Sequence, residues 1–302
     1  MPSPAAPADP DLGLFGPDSL TWRVHGDPSM ALGGMRALLL QALHPLAMAG
    51  VAQHSTFRQD PWGRLLRTAE FVGVTTFGTT SEARRAAARV RRVHHRLAGV
   101  EPESGLPYRV DDPELLLWVH VTEVDSFLTT ARRCGLRLSG AQADAYFAEQ
   151  VRVAELVGVP AATVPTSRAE VSAYYRRVRP QLRLTREARR ALWFVLNPPM
   201  PRWVTLGTPA RPAWYALSAV SLAMLPRWAR RLYRLPGLPT TDLTASATGL
   251  AARTALLALP PAVRHGPHHR AARARLAGRR PPVPPVVPAT AAGPAGRDRR
   301  TL

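Results

Sequence analysis

Four histidines fall where helical spacing turns them toward apolar neighbours. On a helix read from Glu82 to about Leu97, His94 has Val90, Val93 and Leu97 at −4, −1 and +3, positions that share its face. On the helix opening at Pro113, His120 has Leu116 four residues before it and Val124 four after. His44 lies on an Ala/Leu-rich helix beside Pro45, and His54 follows on the same apolar segment. Burying an imidazole without a partner costs free energy, so each of these needs a hydrogen bond, a metal or a cofactor. Singly, each reads as a satisfied core histidine. As a group on three successive helical segments, they point to a haem or a metal held inside a helical bundle.

Two further side chains join them. Arg64 and Thr68 are one turn apart on a helix read from Trp62 to about Thr76. One reading is a surface arginine beside a threonine bonded to the carbonyl four residues earlier. The other aims the guanidinium at an anion such as a carboxylate, with the Thr hydroxyl above a cofactor. Dedicated metal-ligand sets are poorly represented. The residues three before His44, His54, His94 and His120 are Gln41, Val51, Arg91 and Leu117, so no Glu-x-x-His is present. Cys134 is the one cysteine, which excludes an internal disulfide and any multi-cysteine zinc or iron–sulfur site. All forty basic residues are Arg, so lysine Schiff-base and P-loop chemistry are excluded.

The elements that must position these residues read as helices throughout. Leu39, Leu40, Leu43, Leu46 and Ala47 fit helical spacing, with Pro45 expected to kink or restart the helix near His44. Ser81 is the expected cap of the His94 helix, and Asp111 or Asp112 that of the His120 helix, with Pro113 in its first turn. Further helices begin near Ser139, Ser167 and Thr185, and apolar segments span 214–225 and 243–259. Glu101 to Val110 reads as a loop, and no run alternates as a strand would. The expected fold is all-α, with eight to ten helices.

The 302 residues carry a net charge of +19. Residues 264–302 hold nine Arg, one acid and many prolines, so 263–302 is expected to be a disordered tail. Residues 1–20 read as a loose leader and 21–262 as one helical domain. No apolar run reaches the length of a membrane span, and the start lacks the pattern of a signal peptide; a cytoplasmic protein is expected.

Several motifs occur together in one order: Gln41-Ala42-Leu43-His44-Pro45, Gly50-Val51-Ala52-Gln53-His54-Ser55, Asp60-Pro61-Trp62-Gly63-Arg64-Leu65-Leu66-Arg67-Thr68, Phe77-Gly78-Thr79, Val93-His94 and Leu117-Trp118-Val119-His120. Together, over roughly residues 17–240, they resemble the family of MpaB-type oxygenases and the catalytic domain of latex-clearing rubber oxygenases. The resemblance implies a globin-like helical fold that binds one b-type haem through a single proximal histidine. His94 matches that ligand, and Arg64 and Thr68 match an Arg/Thr pair near the haem. His44, His54 and His120 fall at family positions, with His54 assigned to the cofactor side and His44 and His120 to the catalytic side.

Two departures count against polymer cleavage by the same machinery. The rubber-cleaving branch has a Lys just before the Thr, where this chain has Arg67. That branch also has a distal Glu, and the stretch from His44 to Gln59 has no acid.

The expected function is therefore a haem b-dependent oxygenase using O2 on an apolar olefinic, prenyl or fatty-chain substrate. Leu43, Leu65, Val72, Val90, Trp118 and Phe127 are its candidate pocket walls. The alternative is a basic helical protein that binds nucleic acid or a membrane surface without catalysis. Interleaved acids and the lack of a DNA-binding motif make specific nucleic-acid binding unexpected. Peripheral membrane contact is suggested by Trp203, Trp214, Tyr215, Trp228 and Tyr233 among Arg202, Arg211, Arg227, Arg230, Arg231 and Arg234.

Overall fold

The structure, a computed structural model, describes residues 11–55 and 59–279. Its centre is a pair of helices, α2 (Met30–Gln41) and α6 (Pro113–Arg133), packed along each other. Gly33 permits their close approach: a Cβ there would stand 3.1 Å from the Phe127 ring and 3.2 Å from its Cα. The pair is also clamped by charge. Arg36 of α2 donates to Asp125 Oδ2 at 3.0 Å, to Ser126 Oγ at 2.7 Å and to the Met224 carbonyl at 3.1 Å. Asp125 also accepts from the Tyr175 hydroxyl at 3.0 Å, so the buried ions are shared among several partners.

The helix expected to break near His44 does so. α2 stops, and α3 (Pro45–His54) starts with Pro45 in its first turn, the two axes bent by 104°. Among the described residues no single helix is long and apolar enough to cross a membrane; this bent pair passes by length and composition only. α4 (Pro61–Phe77) is capped by Asp60, whose carboxylate accepts from Gly63 N at 2.8 Å. α5 (Thr80–His94) starts at Thr79, earlier than the expected Ser81, because Thr79 and Glu82 form a reciprocal capping box. It ends at His94, and the chain then forms a short antiparallel hairpin, β1 (Ala98–Val100) and β2 (Pro107–Arg109), within the expected loop. The fold is all-α apart from this hairpin among the described residues.

α1 (Leu20–His25) was not anticipated, being too short to show periodicity. It docks on α7 (Gly140–Val157) through Thr21, whose amide and hydroxyl donate to the Glu149 carboxylate at 2.8 and 2.6 Å. The second half follows as α8 (Arg168–Val178), α9 (Arg186–Leu196), α10 (Arg202–Gly207), α11 (Ala210–Ala223), α12 (Arg227–Leu232), α13 (Pro239–Leu257), α14 (Pro261–Arg264) and α15 (Pro267–Leu276).

Over their described residues, 11–20 and 263–279, both expected loose ends are partly packed. In the leader, Phe15 is buried with Trp22 and Phe77, and Asp11 accepts from Thr80 N and Oγ1 at 3.0 and 2.9 Å. Gly13 makes this turn possible: its φ is +77°, and a Cβ would collide with the Gly78 carbonyl. In the tail, 267–276 is helical and packs on α4. Ala272 is buried beside Trp22 and Phe77, His268 binds Glu70 at 2.7 Å, and Arg275 donates to the Phe77 carbonyl at 2.9 Å. Arginine-rich composition hid an Ala/His face small enough to dock. Residues 1–10 and 280–302 lie outside the described residues.

The aromatic–arginine cluster also divides. Tyr233 and Arg230 are buried: the Tyr233 hydroxyl donates to the Leu39 carbonyl at 2.6 Å, and Arg230 donates to the Ala223 carbonyl and Asp242, both at 2.8 Å. Trp214 and Trp228 are half-buried against the main core. Trp203 and Tyr215 remain exposed.

Candidate active site

α4 carries Arg64 and Thr68, and its start is fixed by Asp60 and Pro61. The Thr68 hydroxyl donates to the Arg64 carbonyl at 3.0 Å and also receives the Arg64 guanidinium. The back-bonded threonine of the first reading is thus present, on an arginine that is half-buried rather than at the surface, and its hydroxyl also holds the guanidinium. Burial depresses the Arg64 pKa, and the charge of Arg67 depresses it further. Arg67 itself is exposed and reaches back to Asp60 at 3.3 Å.

His94 is the last residue of α5. The stripe that turns it inward is Ala83, Ala87 and Val90 at spacings of four and three, whereas Val93 is 52% exposed. The expected inward face is thus shifted by one position, and His94 remains on it. Its Nδ1 is buried and has no hydrogen-bond partner among the described residues. Its pKa is lowered first by burial and then by the charge of Arg64, with Asp111 opposing. His94 is therefore neutral at pH 7, the form that ligates metal.

α6 contributes His120 and Glu123, three residues apart and hence on neighbouring positions of one face. His120 is buried, its Nε2 has no partner, and desolvation pushes its pKa down to about 4. Glu123 was missed at the sequence level. Burial pushes its carboxyl up to about 7, with Arg64 opposing the rise. The signal that could have found it is His-x-x-Glu, the reverse of the Glu-x-x-His pattern that was sought.

His25, at the end of α1, was also missed. Its Nδ1 pairs with Thr76 Oγ1 at 2.7 Å and its Nε2 with the Tyr146 hydroxyl at 2.9 Å. Its ring stands edge-on to Phe127 with centroids 5.0 Å apart. Desolvation pushes its pKa down to about 3, so it stays neutral. Glu123 in turn raises the Tyr146 pKa, which is already raised by burial. Arg64, His94, Glu123, Tyr146 and His25 thus form one electrostatically connected group drawn from α1, α4, α5, α6 and α7. Arg64, Glu123 and His25 are strongly desolvated yet keep accessible surface.

The other two candidates sit elsewhere. His44 caps α3, its Nδ1 accepting from Ala47 N at 3.5 Å, and it packs on Trp118 at 5.8 Å between centroids. His54 is exposed; its Nε2 meets the Ala98 carbonyl at 3.1 Å and the Tyr108 hydroxyl at 3.2 Å, tying α3 to the hairpin. Of the expected pocket walls, Leu43, Trp118 and Phe127 belong to the buried core, while Leu65, Val72 and Val90 keep accessible surface. Among the described residues no three His, Cys, Asp or Glu side chains converge as a metal site.

Residues 22–259 match the family described as ER-bound oxygenase mpaB/B'/Rubber oxygenase, catalytic domain. The chain belongs to that family, and the matched span contains Arg64, Thr68, His94, His120 and Glu123. No curated protein and no solved structure matches the chain.

Proposed function

We propose that this globin-like domain holds one b-type haem between α4, α5 and α6 and uses O2 to oxidise an apolar olefinic, prenyl or fatty-chain substrate. The observation that carries the reading is His94: a neutral imidazole with a buried, unpartnered nitrogen, beside a desolvated arginine, in an oxygenase chain. The residues present fit the group. His94 is the iron ligand, and a bound haem supplies the redox chemistry of O2 activation.

This chain's own side chains do the rest. Arg64, held by Thr68, offers a fixed cation to a carboxylate of the cofactor or substrate. Glu123, with its carboxyl near 7, holds or releases a proton at neutral pH. His25, fixed by Thr76 and Tyr146, builds a rigid polar wall, and Phe127 excludes water beside it. His120, three residues before Glu123 on α6, carries an unpartnered Nε2 that is a second neutral acceptor or donor. His44 and His54 are assigned to scaffolding.

A pyridine haemochrome assay on protein produced with a haem precursor tests the cofactor, and oxygen uptake with isoprenoid and unsaturated fatty-chain substrates tests the class. About one haem per chain and substrate-dependent uptake are expected. A folded protein that takes up no haem overturns the reading.

A further inference from the structure

From Arg186 to Arg211 the sequence holds five arginines and a single acid, Glu187, which the Arg190 guanidinium engages at 2.7 Å. α9 presents Arg186, Arg189, Arg190 and Trp193 outward at i, i+3, i+4 and i+7, one continuous stripe. Its opposite face is buried: Ala188 packs with Ala42 and Met48. α10 then exposes more apolar surface. Trp193 is 66% exposed, Trp203 74% and Leu206 85%. Two indoles and a leucine this exposed, rimmed by arginine, mark an interaction surface rather than ordinary solvated protein.

The same surface is anchored to the candidate active site. The Trp62 indole, two residues before Arg64, donates to the Pro199 carbonyl between α9 and α10 at 2.7 Å. It stands edge-on to Trp214 at 5.0 Å, and Trp214 donates to the Val195 carbonyl of α9 at 2.8 Å. The segment joining α9 to α10 is thus fixed against the N-terminal end of α4, the helix that carries Arg64 and Thr68.

We propose that α9 and α10 form a docking surface for an anionic lipid bilayer. Trp193, Trp203 and Leu206 enter the interfacial zone, and Arg186, Arg189, Arg190 and Arg202 meet lipid phosphates. Indole and leucine side chains beside arginine are suited to that boundary, where the apolar part leaves water and the guanidinium stays with the headgroups. The surface deepens the proposed function by naming the bilayer as the source of an apolar substrate. It rests on that reading only for the substrate; docking itself requires neither haem nor turnover.

Co-sedimentation of the full chain with phosphatidylglycerol/phosphatidylcholine vesicles, and with phosphatidylcholine vesicles alone, tests the proposal. Binding to the anionic vesicles with a blue shift of tryptophan emission is expected, weaker by roughly tenfold or more on the zwitterionic ones. The pair Trp203→Ser and Leu206→Ser loses about tenfold or more of the anionic binding, with circular dichroism unchanged. Arg189→Ser with Arg190→Ser weakens binding chiefly at low salt. Vesicle binding without turnover of any apolar substrate supports docking and removes the substrate reading alone. Undiminished binding of the Trp203/Leu206 variant overturns the proposal. So does a dimer, seen by sedimentation velocity, that this variant dissolves while the parent ignores vesicles.

Discussion

Glu123 on α6 and Arg64 on α4 share one desolvated region, and each opposes the effect of burial on the other. The Glu123 carboxyl rises from its ordinary 4.5 to about 7 even with the guanidinium pulling it down. Because the folded value lies above the unfolded one, the stabilisation belongs to the protonated form. It is complete below about pH 4.5 and is lost as pH rises through 7. Glu123→Gln is therefore expected to gain a few kcal/mol of stability relative to the parent at pH 8 and little at pH 4. Urea unfolding at both pH values checks this. An equal gap at both would show that the carboxyl does not titrate near neutrality.

His25 and His120 act in the opposite sense. Their folded values, about 3 and about 4, lie below the ordinary 6.5. Stability from their neutral forms is present above 6.5 and is lost as pH falls from there toward the folded values. The melting temperature should drop steeply between pH 6.5 and 4, and His120→Leu should flatten part of that drop. A His120→Leu curve parallel to the parent's would contradict the burial of a neutral imidazole.

The Arg36–Asp125 pair should be costly to break from one side. Arg36→Met leaves Asp125 buried against Tyr175 without its cation, at a cost of about 3–5 kcal/mol in urea unfolding. Adding Asp125→Leu should recover part of that loss, since the orphaned charge is gone. A single variant as stable as the parent would show that Asp125 is solvated rather than clamped.

Legibility from the sequence followed locality. The Arg64/Thr68 back-bond and the inward side of His94 are legible because their geometry is set within one helix, although the stripe beside His94 is Ala83, Ala87 and Val90 rather than Val90, Val93 and Leu97. The Pro45 restart is legible because proline removes a local donor. Glu123 was missed because the acid follows its histidine instead of preceding it, and its pKa depends on Arg64 of another helix. His25 was missed because six helical residues carry no period and its partners, Thr76 and Tyr146, are remote in sequence. Burial of Tyr233 likewise rests on a carbonyl nearly two hundred residues away, that of Leu39. The docked α15 was hidden by charge composition, which reports the exposed face and not Ala272 beneath it.

That helix gives a further prediction. A chain ending at residue 279 keeps every described residue of α15 and is the reference. One ending at 260 uncovers Trp22 and Phe77 and loses the His268–Glu70 and Arg275–Phe77 contacts, so its melting temperature should fall by several degrees. Equal melting of the two truncations would show that α15 adds no stability.

The central claim is the ligand. The visible absorbance spectrum of His94→Ala, beside the parent and His54→Ala, tests it most directly. The account predicts a Soret band in the parent and in His54→Ala, and loss of both band and haem content in His94→Ala, with band recovery on adding free imidazole. A His94→Ala protein that keeps the parent's Soret band and full haem content would contradict it.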